Sequence, residues 1–319
     1  MILVTGGTGF IGRHLVPELV RRGERVRVLV RDEARAAGLP DAVERARGDL
    51  SRPESLAAPL AGVRAVVHLA AVMDGVGNHA ATMHAANIDG TRALTTASTA
   101  AGVEHFVHVS SAGVYGSRDT ARPFTEDDEP HPTTAYEETK LAAERVVRNE
   151  TAEWTVLRPT GVFGPGRVQT AEFLRTVRSR RVWFFGGTDT VFNPVFVDDV
   201  VAAIAIALQS HSARGEIVNV GGPDVVTYRE LVRITAAALG GAVTQVRVPR
   251  ALTRAGAGAA AAIYRTAGRP LPSRLAALTH PVVSRVASID KARRFGVPAT
   301  PLRAAMSATV EQMPIAPHA

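Results

Sequence analysis

The first twelve residues set the tightest limit on the fold. Met1 to Val4 is a short apolar run of strand character, and Thr5-Gly6-Gly7-Thr8-Gly9-Phe10-Ile11-Gly12 follows without a spacer. Arg13 to Arg22 then reads as an amphipathic helix with Leu15, Leu19 and Val20 on one face. Strand, glycine turn and helix in that order bring a helix N-terminus to a phosphate. Glycines at 6, 9 and 12 permit a tight turn, close backbone approach to a pyrophosphate, and helix–strand packing. Gly6, Thr8, Gly9, Phe10, Ile11 and Gly12 are therefore the expected cradle of a dinucleotide.

Further strands follow at the spacing of an α/β protein. Arg25 to Val30 is the second, and an acidic residue at its tip would bind the adenosine ribose 2′-OH. Here Val30 is the tip, Arg31 comes next and Arg35 lies one helical turn on. Guanidinium groups bind a 2′-phosphate that a carboxylate would repel, so NADP is favoured over NAD. Asp32 leaves some ambiguity, and solvated loop arginines are the plain alternative. Gly48-Asp49-Leu50 closes a third strand, where Asp49 either bonds an adenine amino group or caps the helix after Ser51-Arg52-Pro53. Ala65 to Ala71 is a continuous apolar run, as in a central parallel strand, and His68 within it reads as a packed core histidine. Asn87 opens a long helix and is expected to fasten neighbouring strands. His105 to Val109 is another strand, ending in Ser110-Ser111-Ala112-Gly113-Val114-Tyr115-Gly116. Hydroxyls at such an end sit where open α/β sheets bind ligands. Ser117 to Thr134, rich in Pro, Asp and Glu, suits a lid on the substrate side.

Tyr136-Glu137-Glu138-Thr139-Lys140 is the candidate chemical centre. Tyrosine and lysine four apart on a helix share one face, one turn apart. A phenol titrates near pH ~10 and a fixed cation beside it favours the phenolate. The bland alternative is a solvated helix face. Composition argues against it: of 37 lysines and arginines only Lys140 and Lys291 are lysines, and the chain has 4 tyrosines. A guanidinium does not replace an ammonium that must approach both a phenol and a sugar hydroxyl.

The remaining composition excludes several classes. With 46% apolar and 21% charged residues in 319, the chain is globular and can bury a large core. The net charge of +7 is scattered arginine without a dense basic run, so no nucleic-acid partner is expected. With no cysteine, disulfides, thiolate catalysis and cysteine–zinc sites drop out, and no metal site is expected. No signal peptide and no membrane span are read, and Ala255 to Ile263 is too short to cross a bilayer, which makes the cytoplasm the expected location.

Together these motifs resemble the extended short-chain dehydrogenase/reductase family, the epimerase/dehydratase-like group. The resemblance rests on the Thr5–Gly12 turn, Asp49-Leu50, His68-Leu69-Ala70-Ala71, Asn87, Ser110–Gly116, Tyr136-x-x-x-Lys140, Leu157 to Gly166 and Phe196-Val197-Asp198-Asp199-Val200. It implies a Rossmann-type doubly wound parallel sheet with a smaller C-terminal substrate-binding domain. Residues 1–166, with 191–222 returning, would form the first, and 167–190 with 223–319 the second. It implies Tyr136 as general acid/base, Lys140 on the nicotinamide ribose, and Ser111 polarising the reacting oxygen. Leu50, Leu69, Ala70, Ala71, Val109, Pro159 and Val162 would complete the cofactor site. Met73, Ser111, Gly113, Thr160, Gly161 and Asn193 would face a small-molecule substrate. A homodimer through helices near Thr91–Ala101 and Ala135–Asn149 is implied as well, and Asp198-Asp199 would fix the connection between domains.

Departures from the group narrow the reaction. Ala112-Gly113 stands where sugar-nucleotide 4,6-dehydratases carry an Asp-Glu pair, so dehydration has no evident acid and base. Neither Thr160 nor Gly161 is the asparagine that many sugar-nucleotide epimerases carry. Val26 to Asp32 and Arg158-Pro159-Thr160-Gly161 look more like dihydroflavonol reductases and 3β-hydroxysteroid dehydrogenases. The expected reaction is hydride transfer between nicotinamide C4 and a bulky secondary alcohol or ketone. A nucleotide-sugar epimerase is the alternative, and a non-catalytic dinucleotide sensor the third reading. Farther on, Thr227 is the expected cap of a helix from Tyr228 to Leu239. Pro249 to Pro272 is read as a helical stretch, Lys291 as a solvated residue, and the tail after Met313 as frayed.

Overall fold

A computed structural model describes residues 1–73, 80–116, 122–185, 190–248 and 284–313, with a few helical residues between 252 and 266. The Pro249–Pro272 stretch, apart from those residues, and the tail after Met313 lie outside the described residues, as does the side chain of Arg35. In chain order the elements are β1 (Ile2–Thr5), α1 (Phe10–Arg21), β2 (Val26–Val30), β3 (Glu44–Arg47), α2 (Ala57–Leu60), β4 (Ala65–His68), α3 (Ala80–His84), α4 (Gly90–Ala100), β5 (His105–Val109), α5 (Ala135–Glu150), β6 (Trp154–Pro159), β7 (Val162–Phe163), α6 (Val168–Arg178), β8 (Arg181–Phe185), β9 (Val191–Phe192), β10 (Val195–Phe196), α7 (Val197–Gln209), β11 (Glu216–Val220), β12 (Val226–Thr227), α8 (Tyr228–Ala238) and β13 (Thr244–Val248). Helices Asp290–Arg294 and Leu302–Gln312 follow.

Seven strands form one parallel sheet in the order β11-β6-β5-β4-β1-β2-β3. β1, β4 and β5 are buried along their whole length, because helices cover both faces. Side chains alternate between the two faces. Val67, Val107 and Val109 join Leu15 of α1 and Ile204 of α7 in one core. Leu3, Val66 and Phe106 join Leu94 of α4 and Val147 of α5 in the other. β3, with Glu44 and Arg47 exposed, is the charged edge strand. Chain order reverses between β1 and β4, and a crevice opens there at the carboxyl ends of the strands.

Several boundaries differ from the sequence reading for local reasons. α1 begins at Phe10, three residues early, because the Arg13 amide already reaches Gly9 O at 2.9 Å. β9 and β10 are kept apart by Asn193-Pro194, since proline has no donor for a ladder. Asn87 sits in a π-helical turn, Ala85–Asp89, rather than at the start of α4. Its side chain ties the loop after β4 to α5, bonding both main-chain groups of Val72 and Thr139 Oγ1, and fastens no strand to another. Thr227 caps α8 as expected, in a reciprocal box with Glu230. Lys291, partly exposed on its helix, also pairs with Glu216 at 2.5 Å. Residues 117–121 of the supposed lid lie outside the described residues. From Arg122 on the segment is fastened: Phe124 stacks on Tyr115 at 5.0 Å and its amide donates to Val286 O.

A buried polar cluster locks α5, β6 and β11 together. Arg158, 2% exposed, grips Glu144 with two bonds, Nε to Oε1 at 3.0 Å and Nη2 to Oε2 at 2.7 Å. Its Nη1 donates to Tyr115 Oη at 2.9 Å, and Tyr115 donates to Asn219 Oδ1 at 2.8 Å. Removing one partner of a buried pair leaves an uncompensated charge. Arg158→Met is expected to lose about 3–5 kcal/mol of stability in chemical denaturation, and the double change with Glu144→Met to recover most of it. A single-variant loss below ~1 kcal/mol would refute the structural role given to the pair.

Candidate active site

The crevice at the strand ends is a cleft of about 990 Å³. The glycine turn forms one wall. Gly6 has φ +69°, and a Cβ there would lie 2.7 Å from the Ala70 amide nitrogen, in the loop after β4. At Gly12 a Cβ would lie 2.4 Å from Gly6 O. No side chain caps α1 at Gly9, so its first-turn amides have no intrahelical or capping partner. That is the cradle a pyrophosphate needs, and Gly6, Thr8, Gly9, Phe10, Ile11 and Gly12 all face the cleft. Leu69 and Ala71 line it after β4, Val109, Ser111 and Gly113 after β5, and Pro159, Thr160, Gly161 and Val162 after β6. Met73 completes the rim.

Other expected contacts lie elsewhere. Arg31, Asp49 and Leu50 stand at the ends of β2 and β3, outside the cleft walls. The Asp49 carboxylate accepts from the Ser51 amide at 2.9 Å, which favours the capping reading; that bond, with Arg31 and Arg52 nearby, holds its pKa down. Leu50 packs on Gly90 at the start of α4. Ala70 stands behind the turn, its amide donating to Thr5 Oγ1. Asn193 corrects the expected substrate contact. Its amide nitrogen donates to Gly222 O and Ala287 O, and its oxygen accepts from the Ala287 amide, so the buried side chain is spent on three backbone groups of two segments.

Tyr136 and Lys140 reach the cleft from the first turns of α5. Thr134 and Glu137 cap that helix reciprocally, which fixes where it starts. Lys140 is 2% exposed; its Nζ donates to Val109 O at 2.8 Å and lies 3.4 Å from His108 Nε2. Burial pulls the ammonium down to about 8, against the attraction of Glu144 one turn on. Among the described residues Lys140 forms no ion pair. Ser111 lines the same cleft and closes its own turn by accepting from the Gly113 amide. His68 is the core histidine expected, bonded to Thr5 and Thr91, and burial pushes it down to about 3.

Two residues of the cleft, Arg167 and Arg285, escaped the sequence reading. Arg167 lies over the Phe10 ring at 5.5 Å and donates to Val162 O. Burial lowers its pKa while Tyr136 acts in the opposite sense, which places the guanidinium on the Tyr136 side. Arg285 bridges Glu137 Oε1 at 2.9 Å and Gly116 O at 3.0 Å, joining the C-terminal segment to α5. The spacing of the sequence carries no signal for these pairs, which are up to 169 residues apart. Asp199 accepts from the Thr300 amide and hydroxyl.

The profile of the NAD dependent epimerase/dehydratase family matches residues 2–221. The chain belongs to that family. Sterol demethylase protein B of Methylococcus capsulatus is 33% identical over 230 residues, 67% of each chain. A 3-beta-hydroxysteroid dehydrogenase of Mycolicibacterium neoaurum is 34% identical over 181 residues, 52% of this chain and 48% of the relative. The chain thus spans about half the length of that dehydrogenase. A solved structure of MoeE5 in complex with UDP-glucuronic acid and NAD superposes with a TM-score of 0.77 at 29% identity, covering 98% of both chains. The Rossmann-type doubly wound sheet of the sequence reading is the fold observed. No described helix is long and apolar enough to cross a membrane, and no cluster of metal-binding side chains occurs among the described residues.

The lysine gives a stability test. Its pKa falls from 10.5 unfolded to about 8 folded, so the unfolded chain binds more protons between those values. The burial penalty is therefore complete below pH 8 and fades as pH rises toward 10.5. Lys140→Met is expected to stabilise the cofactor-free protein by about 1–3 kcal/mol at neutral pH, with the gain shrinking in alkaline urea titrations. Destabilisation at neutral pH, or a pH-independent gain, would overturn this assignment.

Proposed function

We propose that the protein is an NAD(P)-dependent oxidoreductase acting on the secondary alcohol or ketone of a bulky small molecule. The observation that carries the reading is a buried ammonium, with no ion pair among the described residues, one turn from a tyrosine that opens into the cleft walled by the glycine turn. Tyr136 is the general acid/base: its phenol gives a proton to the carbonyl oxygen in reduction and takes it back in oxidation. Lys140 favours the phenolate left behind and is placed to bond the ribose. The Ser111 hydroxyl polarises the same substrate oxygen. The nicotinamide, when bound, supplies or accepts the hydride. The glycine cradle fits its pyrophosphate, and Pro159 and Val162 shape the wall beside the ring. The apolar wall of Met73, Val162, Val168 and Phe192 supports a largely apolar substrate, as do the sterol-related relatives.

NADP over NAD belongs to this proposal. Arg31 is exposed at the tip of β2, and the Asp32 carboxylate folds into its own turn, accepting from the Ala34 amide at 3.0 Å. A homodimer through α4 and α5 and a cytoplasmic site of action are part of the same reading. The second reading, a nucleotide-sugar epimerase, is favoured by Arg167 and Arg285 in the cleft and by the UDP-glucuronic acid complex of the structural relative.

Tyr136→Phe is expected to cut turnover of a hydrophobic ketone by about 10²-fold or more, with dinucleotide affinity nearly unchanged. Retained turnover would remove the catalytic assignment. Arg31→Ala is expected to weaken NADP by about tenfold and leave NAD within about twofold in calorimetric titration. An equal loss for both would reverse the cofactor preference. Extra thermal stabilisation by UDP or TDP on top of the dinucleotide would move the reading to the epimerase.

A further inference from the structure

His108 is a buried titratable residue that the reaction above does not use. It stands on β5 and is fully buried, on the face covered by α4 and α5 that Phe106 also occupies. Its Nε2 lies 3.4 Å from Lys140 Nζ, and its ring centre lies 5.3 Å from that of His68.

The hydrogen bonds assign both tautomers. Thr91 donates its hydroxyl proton to Asn87 O at 2.6 Å, so toward His68 Nε2 it is the acceptor. His68 therefore carries its proton on Nε2 and accepts from Thr5 on Nδ1. An ammonium has no lone pair. Its contact with His108 thus requires Nε2 to accept, which leaves the ring proton on Nδ1. That Nδ1 has no hydrogen-bond partner among the described residues. An orphaned donor in the interior is destabilising and rare. A phenylalanine would fill this place beside Phe106 without that cost. What the imidazole offers and phenylalanine does not is a lone pair aimed at Lys140.

We propose that His108 is a positioning residue for Lys140: its neutral imidazole accepts a hydrogen bond from the ammonium, fixing the lysine rotamer and helping it keep its proton. The inference rests on the Tyr136–Lys140 reading above. The surrounding charges agree with it. From α5, Tyr136 and Glu144 lie one turn either side of the lysine. From β4, His68 is neutral, and from β6, Arg158 is engaged by Glu144. Burial and the nearby lysine keep His108 neutral as well. Val109 O is the other acceptor the ammonium has among the described residues.

The scarcity of lysine makes the test direct. Protein labelled at lysine 13Cε gives two signals, and Lys291→Arg identifies the one from Lys140. His108→Gln keeps an acceptor near the position of Nε2, whereas His108→Asn offers its amide near Nδ1 and His108→Leu offers none. The Lys140 midpoint is expected near 8 in the parent protein, unchanged within a few tenths in His108→Gln, and lower by about one unit in His108→Asn and His108→Leu. Turnover is expected to follow: within about twofold for Gln, and down about tenfold or more for Asn and Leu. If Leu does not fold, the comparison of Gln with Asn decides. Equal midpoints in Gln and Asn would overturn the proposal. Active Tyr136→Phe with the lysine shifts intact would sink the catalytic reading instead and leave the contact standing.

Discussion

Holding an ammonium inside the protein is the constraint on which the site depends. Lys140 and Arg158 are both buried between α5 and the sheet, and Glu144 is engaged by the arginine. A buried cation without its own counter-ion is costly. The fold offsets that with a strand-end carbonyl and an imidazole, each at a fixed place on β5. Those acceptors exist only if β5 and β6 pair in register and α5 starts where its capping box sets it. The same helix turn then delivers Tyr136 to the cleft.

The second requirement is close approach. The turn after β1, the loop after β4 and the first turn of α1 converge so tightly that Gly6 and Gly12 have no space for a methyl group. Thr5 stitches this convergence to the interior, receiving the Ala70 amide and reaching His68. From His68 the polar chain runs through Thr91 and Asn87 to Thr139, whose hydroxyl bonds Tyr136 O. The dinucleotide wall and the candidate acid/base are therefore tied by one buried network. Each group along that chain is paired, whereas His108 Nδ1 on the neighbouring strand and Ser110 Oγ at its end have no partner among the described residues.

The substrate side is assembled differently. Asn193 binds the backbone at Gly222 and Ala287, Arg285 reaches Glu137 and Gly116, and Phe124 pairs with the same C-terminal segment. Distant parts of the chain thus meet beside Tyr136 through polar contacts, and a small apolar cluster of Ala112, Tyr115, Phe124 and Ala287 joins them. Glu137 illustrates the economy: one carboxylate caps α5 through Thr134 and anchors Arg285.

Sequence alone determined the parallel sheet, the glycine cradle and the Tyr136–Lys140 pair. Each is a local pattern: a period of two or four residues, or a glycine straight after a strand. It also marked Ser111 at the strand end and Thr227 as a cap, because strand ends and caps are written within a few residues. What only the tertiary structure decided are pairings across long separations. Asn193 reads as a substrate contact in sequence and becomes a backbone clasp, since its partners lie 29 and 94 residues away. Arg167 and Arg285 were two among many scattered arginines until folding brought them to the cleft. His108 reads as one more residue of a buried strand, and its lone pair acquires meaning only when α5 lays Lys140 across it. Propensity and periodicity report a residue's neighbours along the chain, but hydrogen-bond partners and desolvation are set by neighbours in space.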